Sequence, residues 1–444
     1  MAQPNRLPDD LALPRAPIAT VLEPLNRFLH VQAASGVVLL LAAIAAFAAA
    51  NSPAGAEYLA FWKTPLVVGI GGFVMSHSLQ HWISDGLMAI FFFVVGLEVK
   101  RELVLGQLRT IQQAALPIAG ALGGMIVPAA IYLALQWGQP GAVGWGIPMA
   151  TDIAFVVGAL ALLGSRVPAG LRVMLLSLAI ADDIGAILVI AIGYTSDLNT
   201  TALFAGIVGL GLVMLVKRAG VRSIGLYAIL GTGVWVAFHE SGVHATIAGV
   251  ILGILTPARR WVNDSVLSRI TRRVGDLLDG EGWDSGTSRH SELKHVEIAV
   301  REAQSPVERL EHGLHPWSAF IIMPIFALAN AGVPFDMALL TDPIATAVAA
   351  GLVIGKPAGI FLFCYALVRL GGSRLPEGVS WSVLFGGACL AGIGFTMAIF
   401  IAGLALDGAM LDAAKVGVLA ASLVSGALGM AILALRLPAH TPTV

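Results

Sequence analysis

The run LAIADDIGAI, residues 178–187, sets two adjacent carboxylates, Asp182 and Asp183, in the middle of an apolar stretch over 169–193. At about 1.5 Å per residue a helix of that length crosses the roughly 30 Å hydrocarbon layer of a bilayer, so the stretch reads as a membrane span with two acids near its centre. A charge at that depth costs at least about 2.5 kcal/mol even on the most lenient scale, so each acid must face protein or water and is functional by default. Successive residues of a helix point about 100° apart. Both acids can therefore border one polar cavity at a helix crossing while neither meets lipid.

The whole chain has this character. Of its 444 residues 57% are hydrophobic and 12% charged, with a mean hydropathy of +0.85, against about 25% charged residues in an ordinary soluble protein. It reads as an all-α polytopic membrane protein. Two Cys exclude a disulfide scaffold, and a net charge of −1 excludes a nucleic-acid partner held by phosphate contacts. No Walker-type phosphate loop is evident, and no cofactor is expected.

Apolar runs ended by charge, Pro or polar clusters predict twelve spans, at about 31–50, 81–99, 114–136, 142–163, 169–193, 200–217, 222–239, 243–257, 316–334, 343–369, 381–406 and 412–436. The eighth is short enough to be tilted or partly re-entrant. Lys and Arg collect in cytoplasmic loops, which tests this count. With the N-terminus inside, 23 of the 26 Lys and Arg fall on the inner side; Lys63 lies outside, Lys415 begins the last span and Lys356 is deep in the tenth. Both termini are then cytoplasmic.

The membrane domain covers 30–437. Residues 1–29, with Pro4, Pro8, Pro14, Pro17 and Pro24, read as a flexible cytoplasmic tail, and 438–444 as a second. Early Asp9 and Asp10 and a long first apolar run argue against a signal peptide. In the outside loop 51–80, LVVGIGGFV at 66–74 suits a small hairpin or an irregular loop. A polar cytoplasmic insertion over 258–310 places Val266, Leu267, Ile270, Val274, Leu277 and Leu278 at helical spacing beside Arg269, Arg272 and Arg273. This fits a basic amphipathic helix on the inner leaflet, or a disordered connector.

Few other ionisable groups lie within spans. They are Asp152 in GIPMATDIAF (146–155), Lys356 in VIGKPAGI (353–360), and Asp85, Glu98 and Glu102 towards the ends of the second span. Lys356 is 13 residues from either end of its span, too deep for its stem to reach water. Hard cations such as Na+ take oxygen ligands, and two carboxylates this close resist being ionised together, so the pair Asp182 and Asp183 can hold a cation or protons. The alternative is an internal salt bridge from one Asp to Lys356, which leaves Asp183 without a partner.

Gly141, Gly144, Gly146 and Pro148 precede Thr151 and Asp152 in the fourth span, and Gly392 and Gly394 precede Thr396 in the eleventh. Gly and Pro at mid-membrane permit broken helices, with Asp152 compensating half-helix N-termini and Lys356 the C-termini. The two spans run in opposite directions. Paired interruptions of this kind mark inverted repeats, spans 3 to 5 against 10 to 12, with two discontinuous helices crossing at the midplane. Glu311, His312 and His315 stand at the inner mouth of the ninth span. They form too small a set for a firm metal site, and titration near neutral pH or simple interfacial capping suits them better. Cys364 and Cys389 read as packing residues.

These motifs resemble the NhaA-type Na+/H+ antiporters of bacterial membranes. The matching stretches are FFFVVGLEVKREL (91–103), TDIAF (151–155), LAIADDIGAI (178–187), SGVHATIAGV (241–250), LEHGLHPW (310–317), FALANAGV (326–333), IGKPAGI (354–360) and GIGFTMAIF (392–400). The resemblance implies the NhaA fold, with core helices at about 114–193 and 343–436 and interface helices at about 31–99 and 200–334. It implies that Asp183 and Asp182 bind the transported Na+ and carry protons, with Thr151 and Asp152 at the crossing of the broken helices and Lys356 as counter-charge. It further implies a pH-responsive cytoplasmic group of Glu98, Arg101, Glu102, His244, Glu311, His312 and His315, and a homodimer joined through the 51–80 loop. The insertion before LEHGLHPW departs from shorter family members, and its extra charges can shift the pH response.

Exchange of internal Na+ or Li+ for external H+ across the bacterial inner membrane follows, pH-regulated and electrogenic if more than one proton moves per cation. Three other readings remain at this stage. A sodium-coupled symporter of an organic anion would need more basic groups at depth than Lys356. An intramembrane aspartyl protease would need carboxylates facing each other across a water, which adjacent Asp182 and Asp183 are not, leaving Asp152 with Asp183 as the one candidate pair. A passive channel would conduct without proton coupling.

Overall fold

A computed structural model describes residues 32–437 apart from 71–72, 196–197, 222, 261, 263 and 280–285. The expected tails, 1–29 and 438–444, lie outside the described residues. Hydrocarbon offers the backbone no hydrogen bonds, so a chain this apolar satisfies its peptide groups within helices. Each of the twelve expected spans falls on a helix or a helix pair.

Among the described residues, seven helices are long and apolar enough to cross a membrane alone: α3 (Leu79–Val104), α4 (Ile111–Leu135), α6 (Ala169–Gly193), α7 (Thr200–Arg218), α12 (Pro306–Asn330), α13 (Pro343–Arg369) and α16 (Gly408–Arg436). The first span is α1 (Gln32–Ala50), from which α2 (Gly55–Lys63) turns away by 113°. The seventh and eighth are the shorter α8 (Ile224–Glu240) and α9 (Thr246–Leu255). At 10 residues α9 rises only about 15 Å, as the short eighth run predicted.

The remaining two spans are broken. A 3-10 arm, Pro140–Met149, meets α5 (Ile153–Leu162) at 42°, and α14 (Trp381–Ala391) meets α15 (Phe395–Ala405) at 46°. The tighter 3-10 winding suits an arm with Pro at both ends, since Pro supplies no amide hydrogen to an α-helical ladder. The two breaks touch: Asp152 N donates to Ile393 O at 2.7 Å.

Around this crossing α4 packs on α6 and on α13, while α13 packs on α14 and α16. Thus α4, the first broken pair and α6 have as counterparts α13, the second broken pair and α16. The central contact is backbone on backbone: a Cβ on either Gly123 of α4 or Gly359 of α13 would strike the other's carbonyl. Just before Lys356, α13 widens into a π turn over Gly351–Gly355, a distortion frequent at functional sites.

The 66–74 motif does form a hairpin. Strand β1 (Pro65–Ile70) pairs antiparallel with β2 (Phe73–Ser78), Leu66 opposite His77, and Trp82 Nε1 donates to Leu66 O at 3.0 Å to anchor it. In the 258–310 insertion, the amphipathic pattern forms α10 (Asp264–Asp279), followed by α11 (Gly286–Ala303). A Ser305–Glu308 capping box then starts α12.

Candidate ion-binding site

Each break leaves helix ends whose peptide groups lack partners along their own helix. Asp152 serves two N-termini at once. Its Oδ1 accepts from Ala154 N (3.1 Å) and Phe155 N (3.4 Å) of α5, and its Oδ2 from Thr396 N (3.0 Å) and Thr396 Oγ1 (2.5 Å) of α15. A carboxylate here meets the positive ends of two half-helices. Ser422 Oγ accepts from Phe395 N at 3.2 Å.

The C-terminal sides of the breaks expose carbonyls. Lys356 Nζ donates to Met149 O, at the end of the 3-10 arm, and to Asp182 Oδ2 at 2.6 Å. Thr151 Oγ1 lies 2.7 Å from the same Asp182 oxygen and 2.9 Å from Ala391 O, at the end of α14. A hydroxyl has one proton to give. If Thr151 gives it to Ala391 O, a protonated Asp182 can donate to Thr151 in turn, so the arrangement accommodates either state of Asp182.

Asp182, Asp183, Thr151, Asp152 and Lys356 are all buried. Yet Asp182 Oδ1 and Asp183 Oδ1 have no hydrogen-bond partner. Buried carboxylate oxygens without partners are costly unless something satisfies them, and oxygen is the donor a hard cation prefers. The adjacent acids thus differ. Asp182 is held by Lys356 and Thr151, whereas Asp183 keeps ligand capacity for a small cation.

Pro148 and the two glycines shape the crossing. Pro148 abuts Gly351, where a Cβ would come within 2.6 Å of the Pro148 Cβ, and a Cβ on Gly392 would lie 2.6 Å from Leu352 O. Both broken spans are therefore seated directly on the π turn that precedes Lys356.

The second expected group forms only in part. Arg101 pairs with Glu311 and stands 3.6 Å from Glu102, and His315 Nδ1 is 3.4 Å from Glu98 Oε1. Glu311 Oε2 is buried without a hydrogen-bond partner. His312 is exposed, its Nδ1 2.9 Å from Glu308 O on its own helix. His244 is a correction. Helix α9 runs beside α3 with Gly249 against Ala89 and Gly253 against Gly96, which sets His244 level with the Asp85 end of α3. Its Nε2 is 2.8 Å from Tyr194 O. Glu98 is 13 residues beyond Asp85, about 20 Å along the helix, so His244 does not belong to that group.

Sequence reasoning missed Met149 O, Ala391 O and Ile393 O, because backbone carbonyls have no residue signature. The Gly and Pro clusters that announced the breaks were the one signal that carbonyls would be exposed there.

A family model described as Na+/H+ antiporter 1 matches residues 26–433. The chain belongs to this family. A protein named Na(+)/H(+) antiporter NhaA from Rhodopirellula baltica is 54% identical over 437 residues, 98% of this chain and 99% of its own. A protein of the same name from Rhizobium meliloti is 52% identical over 423 residues, 95% of this chain and 97% of its own. Among solved structures, the sodium proton antiporter MjNhaP1 from Methanocaldococcus jannaschii superposes with a TM-score of 0.50 at 13% identity, covering 95% of each chain. That likeness shows a shared polytopic helical fold.

Proposed function

We propose that this chain, a multi-pass Na+/H+ antiporter by family, carries Na+ or Li+ out of the cell against inward H+ at one site between the broken helices. The observation that carries the reading is the division of labour in the acid pair: Asp182 is engaged by Lys356 and Thr151, while Asp182 Oδ1 and Asp183 Oδ1 stand buried and unpartnered.

With the site open inward, deprotonated Asp183 and Asp182 take the cation through their oxygens, helped by Thr151. After the core helices, about 114–193 and 343–436, reorient against the interface helices, about 31–99 and 200–334, protons entering from outside neutralise the acids and release the cation. The neutral site returns inward. Two acids, or one acid and Lys356, can each take a proton, so more than one H+ can move per cation and the cycle is electrogenic.

Glu98, Arg101, Glu102, Glu311 and His315 form the pH-responsive group at the inner mouth, with both termini cytoplasmic and the chain in the bacterial inner membrane. The work is transport and not bond chemistry: both Asp152 oxygens are engaged by α5 and α15, so Asp152 and Asp183 make no facing dyad. The alternative, sodium-coupled symport of an organic anion, lacks support, since Lys356 is spent on Asp182 and Met149 O.

The test is Na+-induced collapse of a respiration-driven pH gradient in inside-out vesicles lacking other antiporters, at pH 7 and 8.5. Collapse abolished by Asp183→Asn supports the reading. No collapse by the inserted wild-type protein across a full pH scan refutes it.

A further inference from the structure

Far from the acid pair, three imidazoles and a carboxylate gather where the hairpin meets α3 and α8. His77 of β2, His81 in the first turn of α3 and His239 in the last turn of α8 bring ligand nitrogens within 4.8 Å of one another. His77 Nε2 and His239 Nε2 are 3.3 Å apart, about the ligand-to-ligand edge of a tetrahedral site with bonds of roughly 2.0–2.1 Å. His81 Nε2 is buried and makes no hydrogen bond, and it lies 3.5 Å from Asp85 Oδ2. The same Asp85 oxygen is 3.4 Å from His239 Nδ1. A carboxylate behind a ligating imidazole is the usual means of fixing its tautomer and orientation.

The rings are held in place by packing. His77 stacks on His81 with centroids 4.4 Å apart, and Trp235 stacks on His239 at 5.7 Å. The His81 side chain is 42% exposed, although its Nε2 is turned inward.

We propose that His77, His81 and His239, with Asp85 completing or orienting the set, bind a borderline divalent cation such as Zn2+ and tie the hairpin and α3 to α8. Neutral imidazole nitrogens suit Zn2+, Cu2+ or Ni2+ and compete poorly for Na+, which takes oxygen. The site is therefore chemically distinct from Asp182 and Asp183. Its ligands come from three elements, so an occupied site braces the hairpin against the bundle.

Tag-free, chelator-stripped protein in detergent is titrated with ZnCl2 by calorimetry and with CoCl2 by visible absorption. The expected result is one Zn2+ per chain and the intense bands of tetrahedral Co2+, with affinity falling at least about tenfold in His77→Gln and His239→Gln and unchanged in His295→Gln, an exposed residue of α11. Weak octahedral Co2+ bands or substoichiometric Zn2+ in the wild-type chain overturn the proposal, as does undiminished wild-type affinity in both cluster variants. The wild-type spectrum decides the matter if a variant fails to fold. Asp183→Asn should bind Zn2+ like the wild type, so this result stands or falls separately from ion exchange.

Discussion

Lys356 Nζ stands 2.6 Å from Asp182 Oδ2 with both side chains closed to solvent, while Asp183, one residue on, keeps a buried Oδ1 without a partner. Removing one member of a buried ion pair strands the other charge and costs about 3–5 kcal/mol. Asp182→Asn and Lys356→Gln should each lower the unfolding temperature of the detergent-solubilised protein, and the double variant should lose less than the sum. Asp183→Asn should unfold near the wild-type temperature yet move no Na+. Thermal scans beside vesicle exchange assays check this, and equal destabilisation by Asp183→Asn would contradict the division of roles.

Asp152 holds the N-termini of α5 and α15 through both its oxygens. Asp152→Ala should cost more than an ordinary surface cap, at least about 2 kcal/mol, because two helix starts lose their acceptor within the membrane. Asp152→Asn keeps one oxygen and should retain part of the stability. An alanine variant as stable as the asparagine variant would show that the carboxylate does not cap both helices.

The facing pair Gly123 and Gly359 leaves no room for a side chain between α4 and α13. Gly359→Ala should destabilise the bundle by about 1–3 kcal/mol through overpacking, visible as a lower melting temperature and reduced exchange. Gly233, where a Cβ meets nothing within 4 Å, should tolerate alanine.

At the other end of α3, His315 sits 3.4 Å from Glu98 Oε1. That pair is attractive only while the imidazole is protonated, so it is present at acid pH and weakens as pH rises. If it holds the transporter inactive at low pH, His315→Gln and Glu98→Gln should move the onset of exchange to lower pH with the maximal rate retained. Exchange assays across pH 6 to 9 would read this, and an unchanged profile in both variants removes the pair from the pH response.

The hairpin exposes Leu66, Val67, Val68 and Val74 and ends in two unpaired strand edges, which invite pairing with a second copy. Cys364 and Cys389 are buried and free, so Val67→Cys supplies one accessible thiol. A homodimer joined through the hairpin should give a disulfide-linked species on mild oxidation in membranes; its absence, with the thiol still reactive to a small maleimide, argues against that interface.

Much of this was legible in the chain itself. The spans, the two breaks at 150–152 and 392–394, and the hairpin follow from apolar run length, Gly and Pro placement and β-branched flanks. The side of His244 was legible too, since the same span count starts the eighth span outside; the motif match alone set it with the cytoplasmic group, and the register of α9 on α3 agrees with the count. The His77, His81, His239 cluster was hidden, since His239 lies some 160 residues from the other two and only the fold joins them.

By itself the sequence determined that the chain lives in a bilayer, where it crosses, and that Asp152, Asp182, Asp183 and Lys356 must face one another or a cavity. The reason is energetic: hydrocarbon satisfies neither peptide groups nor charges, so their placement admits few solutions. Tertiary structure alone decided which acid Lys356 takes, that Met149 O and Ala391 O join the site, and which histidines meet. Those contacts lie between distant elements and often use backbone atoms that every residue possesses, so no pattern along the chain records them.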